Sequence, residues 1–321
     1  MDNRRGNKIL EGMKVILVTG AAGFIGSAVA KALLDMNNKV VTVDNLSTGK
    51  KENIPKGCDF IEGNDYDIKT IEKLEAYSFD LIIHMAGQSS GEVSFEDPVY
   101  DLQTNTQSTI MLLDLALKTN CKEFIYASSM SVYGDHDNPF VNEKSSTTPK
   151  SFYAVGKLSS EQYMRIYSSY GIKTTALRFF NVYGVGQNLE NLKQGMASIF
   201  LAQALTDKHI FVKGSKHRFR DFVYIDDVVK SVLLSIEREK GELFEAYNVC
   251  NGEKVTVESL IEHIKSNLPY TVTTEYGDGT PGDQNGIFGD FSKINIHLGW
   301  KGTINFADGI KEMINWSINK I

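Results

Sequence analysis

A glycine-rich turn that joins an apolar segment to a helical one is the feature that most constrains the fold of this chain. The apolar run at residues 14–18 leads directly into Thr19–Ser27, which contains Gly20, Gly23 and Gly26. In such a turn the first glycine permits the tight bend, the second lets the backbone approach an anion, and the third lets helix and strand pack closely. The N–H groups at the start of the helix would then face phosphates. The segment therefore predicts a strand, a turn and a helix that bind a dinucleotide pyrophosphate.

A second apolar strand strengthens this interpretation. Residues 39–43 are rich in valine and end at Asp44. The offset from the glycine turn is close to the roughly 20 residues at which a carboxylate meets the ribose hydroxyls of a dinucleotide.

Composition limits the remaining classes of protein. The chain has 321 residues, 42% of them hydrophobic, which is enough for one large α/β unit or two associated domains. The formal net charge of −6 provides no broad cationic face, so a nucleic-acid partner is not expected.

Cys58, Cys121 and Cys250 lack metal-ligand spacing and are typical of thiols in a reducing cytosol, so we expect no metal. Residues 1–12 lack the apolar core of a signal peptide, and no run is long enough to span a bilayer, so we expect a cytoplasmic protein without membrane contact.

Strand-length apolar runs alternate with segments of helical period up to about residue 181. This alternation is typical of a Rossmann-like α/β fold with a doubly wound parallel sheet, here predicted as an NAD-binding domain over residues 13–181. The predicted strands cover 14–19, 39–44, 58–62, 81–86, 123–128 and 173–179, and the predicted helices cover 24–34, 97–119 and 153–170.

Beyond residue 181 the pattern changes to long irregular segments, at 184–194 and 277–288, among shorter elements. Long loops in a compact protein are usually functional, and ligands of open α/β sheets lie beyond the carboxyl ends of the strands. We therefore expect residues 182–321 to form mainly a smaller substrate-binding domain, with elements near 221–250 returning to the first domain. The predicted elements are helices at 195–206, 225–237, 256–267 and 305–319 and a strand at 247–250.

Tyr153 and Lys157 lie four residues apart, on one face of a predicted helix. A phenol has a pKa of about 10, so about 4 kcal/mol of preferential stabilisation of the phenolate is needed before it acts as a base at neutral pH. The ammonium group of Lys157 supplies nearby positive charge. A helix can carry this pair by chance, but together with the glycine turn it indicates a catalytic phenol.

Ser128 and Ser129 end the predicted strand at 123–128, at the edge where the dinucleotide is expected. A serine at this position can hydrogen-bond the same substrate oxygen as Tyr153. The alternative is ordinary turn chemistry.

Taken in order, these motifs resemble those of the extended short-chain dehydrogenase/reductases. The chain is most similar to the nucleotide-sugar epimerases among them, the UDP-glucose 4-epimerases in particular. The resemblance runs from about residue 14 to 316 and rests on the glycine turn, Asp44, Ser128–Gly134, Tyr153 with Lys157, Arg178–Gly184 and Arg220–Val228.

The resemblance implies that Tyr153 is the catalytic base and acid, that Lys157 lowers its pKa and binds the nicotinamide ribose, and that Ser129 orients the sugar O4. Hydride would pass from the sugar C4 to NAD and return to the other face of a 4-keto intermediate. An NAD(P)H-dependent 4-ketoreductase of a nucleotide 6-deoxysugar shares these residues and is the alternative. A 4,6-dehydratase is disfavoured because Met130 and Ser131 replace its acidic pair, and the three retained residues argue against a non-catalytic dinucleotide sensor.

The resemblance also implies the cofactor site. Asp44 would repel a 2′-phosphate and is followed by Asn45 rather than arginine, which favours NAD over NADP. Asn64 replaces an aspartate that contacts the adenine in relatives. The predicted NAD-binding residues are Gly20, Gly23, Phe24, Ile25, Gly26, Asp44, Asn45, Leu46, Thr48, Gly49, Asn64, Asp65, Met85, Ala86, Gly87, Asn105, Ala127, Ser128, Tyr153, Lys157 and Phe180.

For the nucleotide-sugar substrate, the resemblance implies that Asn181 and Arg220 hold the diphosphate, since arginine can pair with phosphate oxygens. The alternative for Arg220 is a surface ion pair with Asp221. Thr280 replaces a diphosphate-binding arginine of many relatives, so either Arg218 or Lys216 substitutes for it or the nucleotide is not uridine. The predicted substrate-binding residues are Gln88, Ser89, Ser129, Tyr153, Asn181, Arg218, Arg220 and Asp283.

The helices predicted at 97–119 and 153–170 correspond to helices that pair across a two-fold axis in relatives, which implies a homodimer. The alternative is that their apolar residues only cover the sheet.

Overall fold

Runs of β-branched and other apolar residues form a central seven-stranded sheet. The structure, a computed structural model, describes residues 12–193, 195–279 and 285–319. The strands are β1 (Val15–Thr19), β2 (Lys39–Asp44), β3 (Asp59–Glu62), β4 (Leu81–His84), β5 (Glu123–Ser129), β6 (Phe140–Val141), β7 (Lys173–Phe179), β8 (Asn181–Tyr183), β9 (His209–Lys213), β10 (Phe219–Arg220), β11 (Phe222–Tyr224), β12 (Phe244–Val249), β13 (Val255–Thr256), β14 (Thr273–Gly277) and β15 (Phe288–Gly289).

The sheet order is β12-β7-β5-β4-β1-β2-β3, and every pairing in it is parallel. Such a sheet needs helices on both faces, because both faces are apolar. The helices are α1 (Phe24–Asp35), α2 (Ile68–Leu74), α3 (Gly91–Glu96), α4 (Pro98–Leu102), α5 (Ser108–Lys118), α6 (Phe152–Ser168), α7 (Met196–Thr206), α8 (Ile225–Ser235), α9 (Val257–Ser266), α10 (Ser292–Leu298) and α11 (Phe306–Ile318). The predicted Rossmann-like α/β fold is confirmed.

The helix predicted at 97–119 is present over 98–118, but it is not a regular α-helix throughout. Asp97 caps the short α4, whose first residue is Pro98, and a π-helical turn at Gln103–Gln107 joins α4 to α5. Periodicity could not reveal this turn, because its five residues are all polar and carry no apolar pattern that would register the one residue added to the turn. Such turns occur frequently at functional sites, and this one carries Asn105.

The second half of the chain contributes to two cores. β12 extends the central sheet beside β7, as the returning elements near 221–250 led us to expect. A separate apolar cluster gathers around Tyr183 and Phe222 and takes in residues of α7, α9 and α11. The domain limits at residues 181 and 182 stay a prediction.

Three general features bear on function. In the described part of the chain, no helix combines the length and apolarity needed to cross a membrane. Within the same residues, no group of three or more His, Cys, Asp or Glu side chains is placed to hold a metal ion. The three cysteines are free thiols, and burial raises the pKa of Cys121 to about 11.

Candidate active site

The glycine turn after β1 has the close contacts that the sequence predicts. Gly20 has a φ of +69°, and a Cβ added to it would lie 2.7 Å from the backbone nitrogen of Ala86. A Cβ on Gly26 would lie only 2.1 Å from the carbonyl oxygen of Gly20. Gly23 is the N-cap of α1 and provides no side-chain acceptor, so the first N–H groups of this helix are available to an anion. These observations fit a dinucleotide pyrophosphate.

Asp44 ties the end of β2 to the glycine turn. Its two carboxylate oxygens accept from the backbone N–H of Ala22 at 2.9 Å and of Leu46 at 2.8 Å. A carboxylate has about four acceptor positions, so hydroxyls of an adenosine ribose can still be bound. Nearby, the side-chain oxygen of Asn64 accepts from Asn45 at 2.7 Å. The predicted adenosine-binding residues therefore lie together at the ends of β2 and β3.

The two catalytic candidates on α6 face a common cavity of about 380 Å³, which both Tyr153 and Lys157 line. Ser151 caps the helix by accepting from the N–H of Ala154, which fixes the first turn. The Lys157 Nζ donates to the carbonyl oxygen of Ala127 at 2.9 Å and lies 5.7 Å from the centre of the Tyr153 ring. The predicted pair is therefore together and open to a ligand.

The structure assigns different tasks to the two serines that end β5. Ser128 is buried, and its hydroxyl donates to Glu161 of α6 at 2.5 Å. Ser129 lines the cavity, and its hydrogen bond lowers the pKa of Tyr153. The Ser129 hydroxyl also accepts from the hydroxyl of Ser131 at 2.8 Å, which orients it. Ser129 thus lies where the sequence prediction requires.

Burial dominates the electrostatics of the catalytic pair. It raises the pKa of Tyr153 to about 12, although the Ser129 hydrogen bond lowers it in part. Burial also lowers the pKa of Lys157 to about 8, against the opposing charges of Asp101 and Asp65. Desolvation of the phenolate is thus the largest influence on the pKa of Tyr153, and the expectation that Lys157 lowers this pKa stays a prediction.

The same cavity is also lined by Asn181, Ser89 and Arg220. Arg220 is only 6% exposed, and burial lowers its pKa to about 10. A surface ion pair with Asp221 is excluded, because that buried carboxylate accepts from the backbone N–H groups of three residues, Asn251, Gly252 and Gly289. Arg220 therefore lies in the cavity as a buried cation suited to a phosphate.

Several predicted site residues lie outside this cavity. The side-chain nitrogen of Gln88 donates to the carbonyl oxygen of Ser90 and to Asp101, and its side-chain oxygen accepts from the N–H of Ser90. Its prediction as a substrate ligand is therefore not supported. Arg218 donates to carbonyl oxygens of its own loop, and Lys216 pairs with Glu258 at 2.7 Å. Neither residue lines the cavity, and substitution by either for a diphosphate-binding arginine stays a prediction. Thr280 and Asp283 lie outside the described residues.

Asp65 and Asn105, which are predicted to bind the cofactor, both have buried side chains, and their part in cofactor binding stays a prediction. The Asp65 carboxylate is buried 3.6 Å from Nδ1 of His84. The fully buried Asn105 donates to the carbonyl oxygen of Gln88. A cofactor contact at Asp65 would have to come from its backbone.

Sequence reasoning missed several residues that line the cavity. Gln187 lines it and is 8% exposed, and its Oε1 has no hydrogen-bond partner among the described residues. The N-terminus of α7 lies beside it, where Gly195, Met196 and Ala197 line the cavity. The length of the loop at 184–194 was the available signal, and no spacing rule singled out a residue within it.

Comparisons with known proteins agree with this geometry. Residues 16–250 match the model of the NAD dependent epimerase/dehydratase family. The chain belongs to this family. The extended short-chain dehydrogenase/reductase resemblance is therefore confirmed, and the protein is an NAD-dependent enzyme.

Solved structures and curated relatives of the family cover nearly the whole chain. A UDP-glucose 4-epimerase of Thermotoga maritima with UDP-glucose is 31% identical, covers 95% of this chain and 99% of its own, and has a TM-score of 0.90. A Thermus thermophilus UDP-glucose 4-epimerase in complex with NAD is 30% identical, with coverages of 96% and 100% and a TM-score of 0.88. The dTDP-4-dehydro-6-deoxyglucose reductase of Escherichia coli is 29% identical over 93% of this chain and 96% of its own.

Proposed function

We propose that this enzyme inverts C4 of a nucleotide-diphosphate sugar, with a UDP-hexose as the favoured substrate, through a transient 4-keto intermediate. One observation carries the proposal: Ser129, Tyr153 and Lys157 line the same cavity as Arg220 and Asn181. The first group suits oxidation of a hydroxyl, and the second suits a diphosphate. A UDP-hexose is favoured because relatives with the same fold are named for UDP-glucose.

The residues divide the chemistry between them. Ser129 and Tyr153 hold the hydroxyl at C4, and Tyr153 takes its proton and later returns it. NAD, when bound beside the glycine turn, supplies the acceptor for the C4 hydride and the positive charge that favours a phenolate. Proton and hydride both return to the sugar, so the reaction consumes no reductant. Lys157 keeps the second positive charge next to the phenol.

Inversion requires that the keto sugar turn over without leaving. Arg220 and the N-terminus of α7, which line the same cavity, would hold the diphosphate and leave the reacting carbon free to turn. These contacts with the diphosphate are unchanged during the reaction, so the sugar can present either face while the nucleotide stays bound. Interactions remote from the chemistry thus protect the intermediate.

Incubating the purified enzyme with UDP-, dTDP-, CDP- and GDP-sugars, without added reductant, tests the proposal. We expect NAD to remain bound through purification and NMR to show inversion at C4 of a UDP-hexose. Tyr153→Phe should keep NAD and lose turnover, whereas Tyr163→Phe, a matched change on the same helix, should keep both. Formation of a reduced 6-deoxysugar that depends on added NAD(P)H would instead identify the enzyme as a 4-ketoreductase.

We further propose that the enzyme is a homodimer. An apolar stripe on α6 and just beyond it is exposed, and its spacing puts its members on one helical face; it consists of Phe152, Val155, Tyr163, Ile166 and Tyr170. Val99 and Leu102 of α4 are exposed as well, at 66% and 56%. Side chains that only covered the sheet would be buried, so this face supports pairing with a second copy. The three free thiols support a cytoplasmic location.

A further inference from the structure

A buried carboxylate lies directly behind the catalytic helix. Asp101 of α4 is 1% exposed. Its Oδ1 accepts from Gln88 at 2.8 Å and from Asn105 at 3.3 Å, whereas its Oδ2 has no hydrogen-bond partner among the described residues. A buried carboxylate oxygen without a donor is costly unless a nearby charge compensates for it.

The position of Gly156 shows where this oxygen points. A Cβ on Gly156 would lie 3.2 Å from the Cβ of Asn105 and 3.4 Å from the Oδ2 of Asp101. The π-helical turn and α4 therefore pack closely against α6 at this residue. Gly156 directly precedes Lys157 and follows Tyr153 by three residues, so the oxygen faces the helical turn that carries both catalytic groups.

Lys157 is the cation in this region. Lys157 is 4% exposed, and its ammonium is hydrogen-bonded to a neutral carbonyl, that of Ala127. The ammonium also lies 4.7 Å from the centre of the Tyr126 ring. The titratable groups that surround it from every packed element are Tyr153 of α6, Tyr126 of β5, His84 of β4, Asp65 after β3 and Asp101 of α4.

We propose that Asp101 is a positioning residue whose buried negative charge keeps Lys157 in its ammonium form and thereby sets the pH range in which Tyr153 can exchange a proton with the substrate. For its catalytic consequence this inference rests on the proposed function. Asp101 acts through Lys157 and Tyr153 and does not itself touch the substrate.

The sign of the effect follows from the charge. A nearby carboxylate stabilises the ammonium, and it destabilises the phenolate. The pKa directions agree: Asp101 raises the pKa of Lys157 against the lowering by burial, and it adds to the raised pKa of Tyr153. Removing the charge should therefore lower both pKa values together. The acid and alkaline limbs of the rate profile should both move to lower pH.

Asp101→Asn tests this, because asparagine keeps the size of the side chain and the oxygen that accepts from Gln88 and Asn105. We expect both limbs of kcat to move down by on the order of one pH unit. Relative to wild type, kcat should fall about eightfold near pH 8.5, on the alkaline limb, and should not fall near pH 6, where a lower pKa of Tyr153 favours the phenolate. Asp97→Asn is the matched control, since Asp97 is an exposed N-cap on the same segment and asparagine caps equally well.

A direct titration gives a second readout that does not need activity. In ligand-free protein with isotope-labelled lysine, the Lys157 NMR signal, identified by its loss in Lys157→Arg, should titrate at lower pH in Asp101→Asn than in wild type. Asp101→Glu should restore the positions of both limbs even if its maximal rate is lower. Asp101→Ser replaces Asp101→Asn if the latter does not fold.

The proposal would be overturned if Asp101→Asn had a lower rate at every pH while both limbs and the Lys157 titration stayed at their wild-type pH values. Asp101 would then only support the packing of α4. Failure of the wild-type enzyme to invert any sugar would refute the proposed function instead. The lysine titration would still decide the role of Asp101 in that case.

Discussion

Replacing Gly26 with alanine tests whether the close packing of α1 on the glycine turn is required for NAD binding. The added Cβ would lie 2.1 Å from the oxygen and 2.6 Å from the carbon of the Gly20 carbonyl group. Ordinary contact begins at 3.4 Å, so the helix and the turn must separate by more than about 1 Å. Both partners are backbone, so rotation of a side chain cannot relieve the clash.

This displacement has two costs. Overpacking at a well-packed contact destabilises a protein by about 1–3 kcal/mol, and we expect about 2 kcal/mol for Gly26→Ala. Moving the helix N-terminus away from the pyrophosphate forfeits a charge–dipole interaction of about 1 kcal/mol or slightly more. NAD affinity should therefore fall about tenfold, since that factor corresponds to about 1.4 kcal/mol.

Urea unfolding of the ligand-free protein measures the first cost, and calorimetric titration of NAD into stripped enzyme measures the second. Gly279→Ala is the control, because the nearest atom to its added Cβ lies 3.8 Å away. If Gly26→Ala bound NAD as tightly as wild type, both the steric argument and the placement of the pyrophosphate at the glycine turn would be refuted.

Three further predictions follow from other contacts. Arg220→Lys keeps the charge but loses the planar donors, so KM for the nucleotide sugar should rise about tenfold with kcat little changed; a loss confined to kcat would contradict this. Burial raises the pKa of Asp65 to about 7. The native protein therefore holds more protons than the unfolded chain between about pH 4 and 7, and its free energy of unfolding falls as the pH rises through that range. Asp65→Asn should flatten this fall in urea titrations at several pH values, and an unchanged slope would count against it. Ile166→Glu places a charge in the exposed apolar stripe, so sedimentation should show monomers, whereas persistence of a dimer would exclude α6 from the interface.

Local patterns were sufficient for much of the fold. The strands predicted at 39–44 and 173–179 match β2 and β7 residue for residue, because buried parallel strands are continuous apolar runs bounded by polar turns. The glycine turn and the pair of Tyr153 and Lys157 are also local, since their spacing along one element determines their geometry. Each could therefore be placed before any contact between elements was known.

Other parts of the site depend on contacts between distant segments. Gln88 and Arg218 have the chemistry of substrate ligands, but one is engaged by α4 and the other by its own loop. The adjacent Ser128 and Ser129 have the same side chain. The structure distinguishes them because the Ser128 hydroxyl donates to Glu161, 33 residues further along the chain. Gln187 reaches the cavity through a loop without regular spacing.

The sequence by itself therefore determined the parallel sheet, and it predicted the dinucleotide site and the catalytic pair, because each is specified by residue spacing within a strand, turn or helix. Tertiary structure decided the electrostatics. Burial raises the pKa of Tyr153 and lowers that of Lys157, and the packing of α4 on α6 at Gly156 brings the carboxylate of Asp101 behind them. Desolvation depends on all the atoms that surround a group, and no spacing along one element reports it.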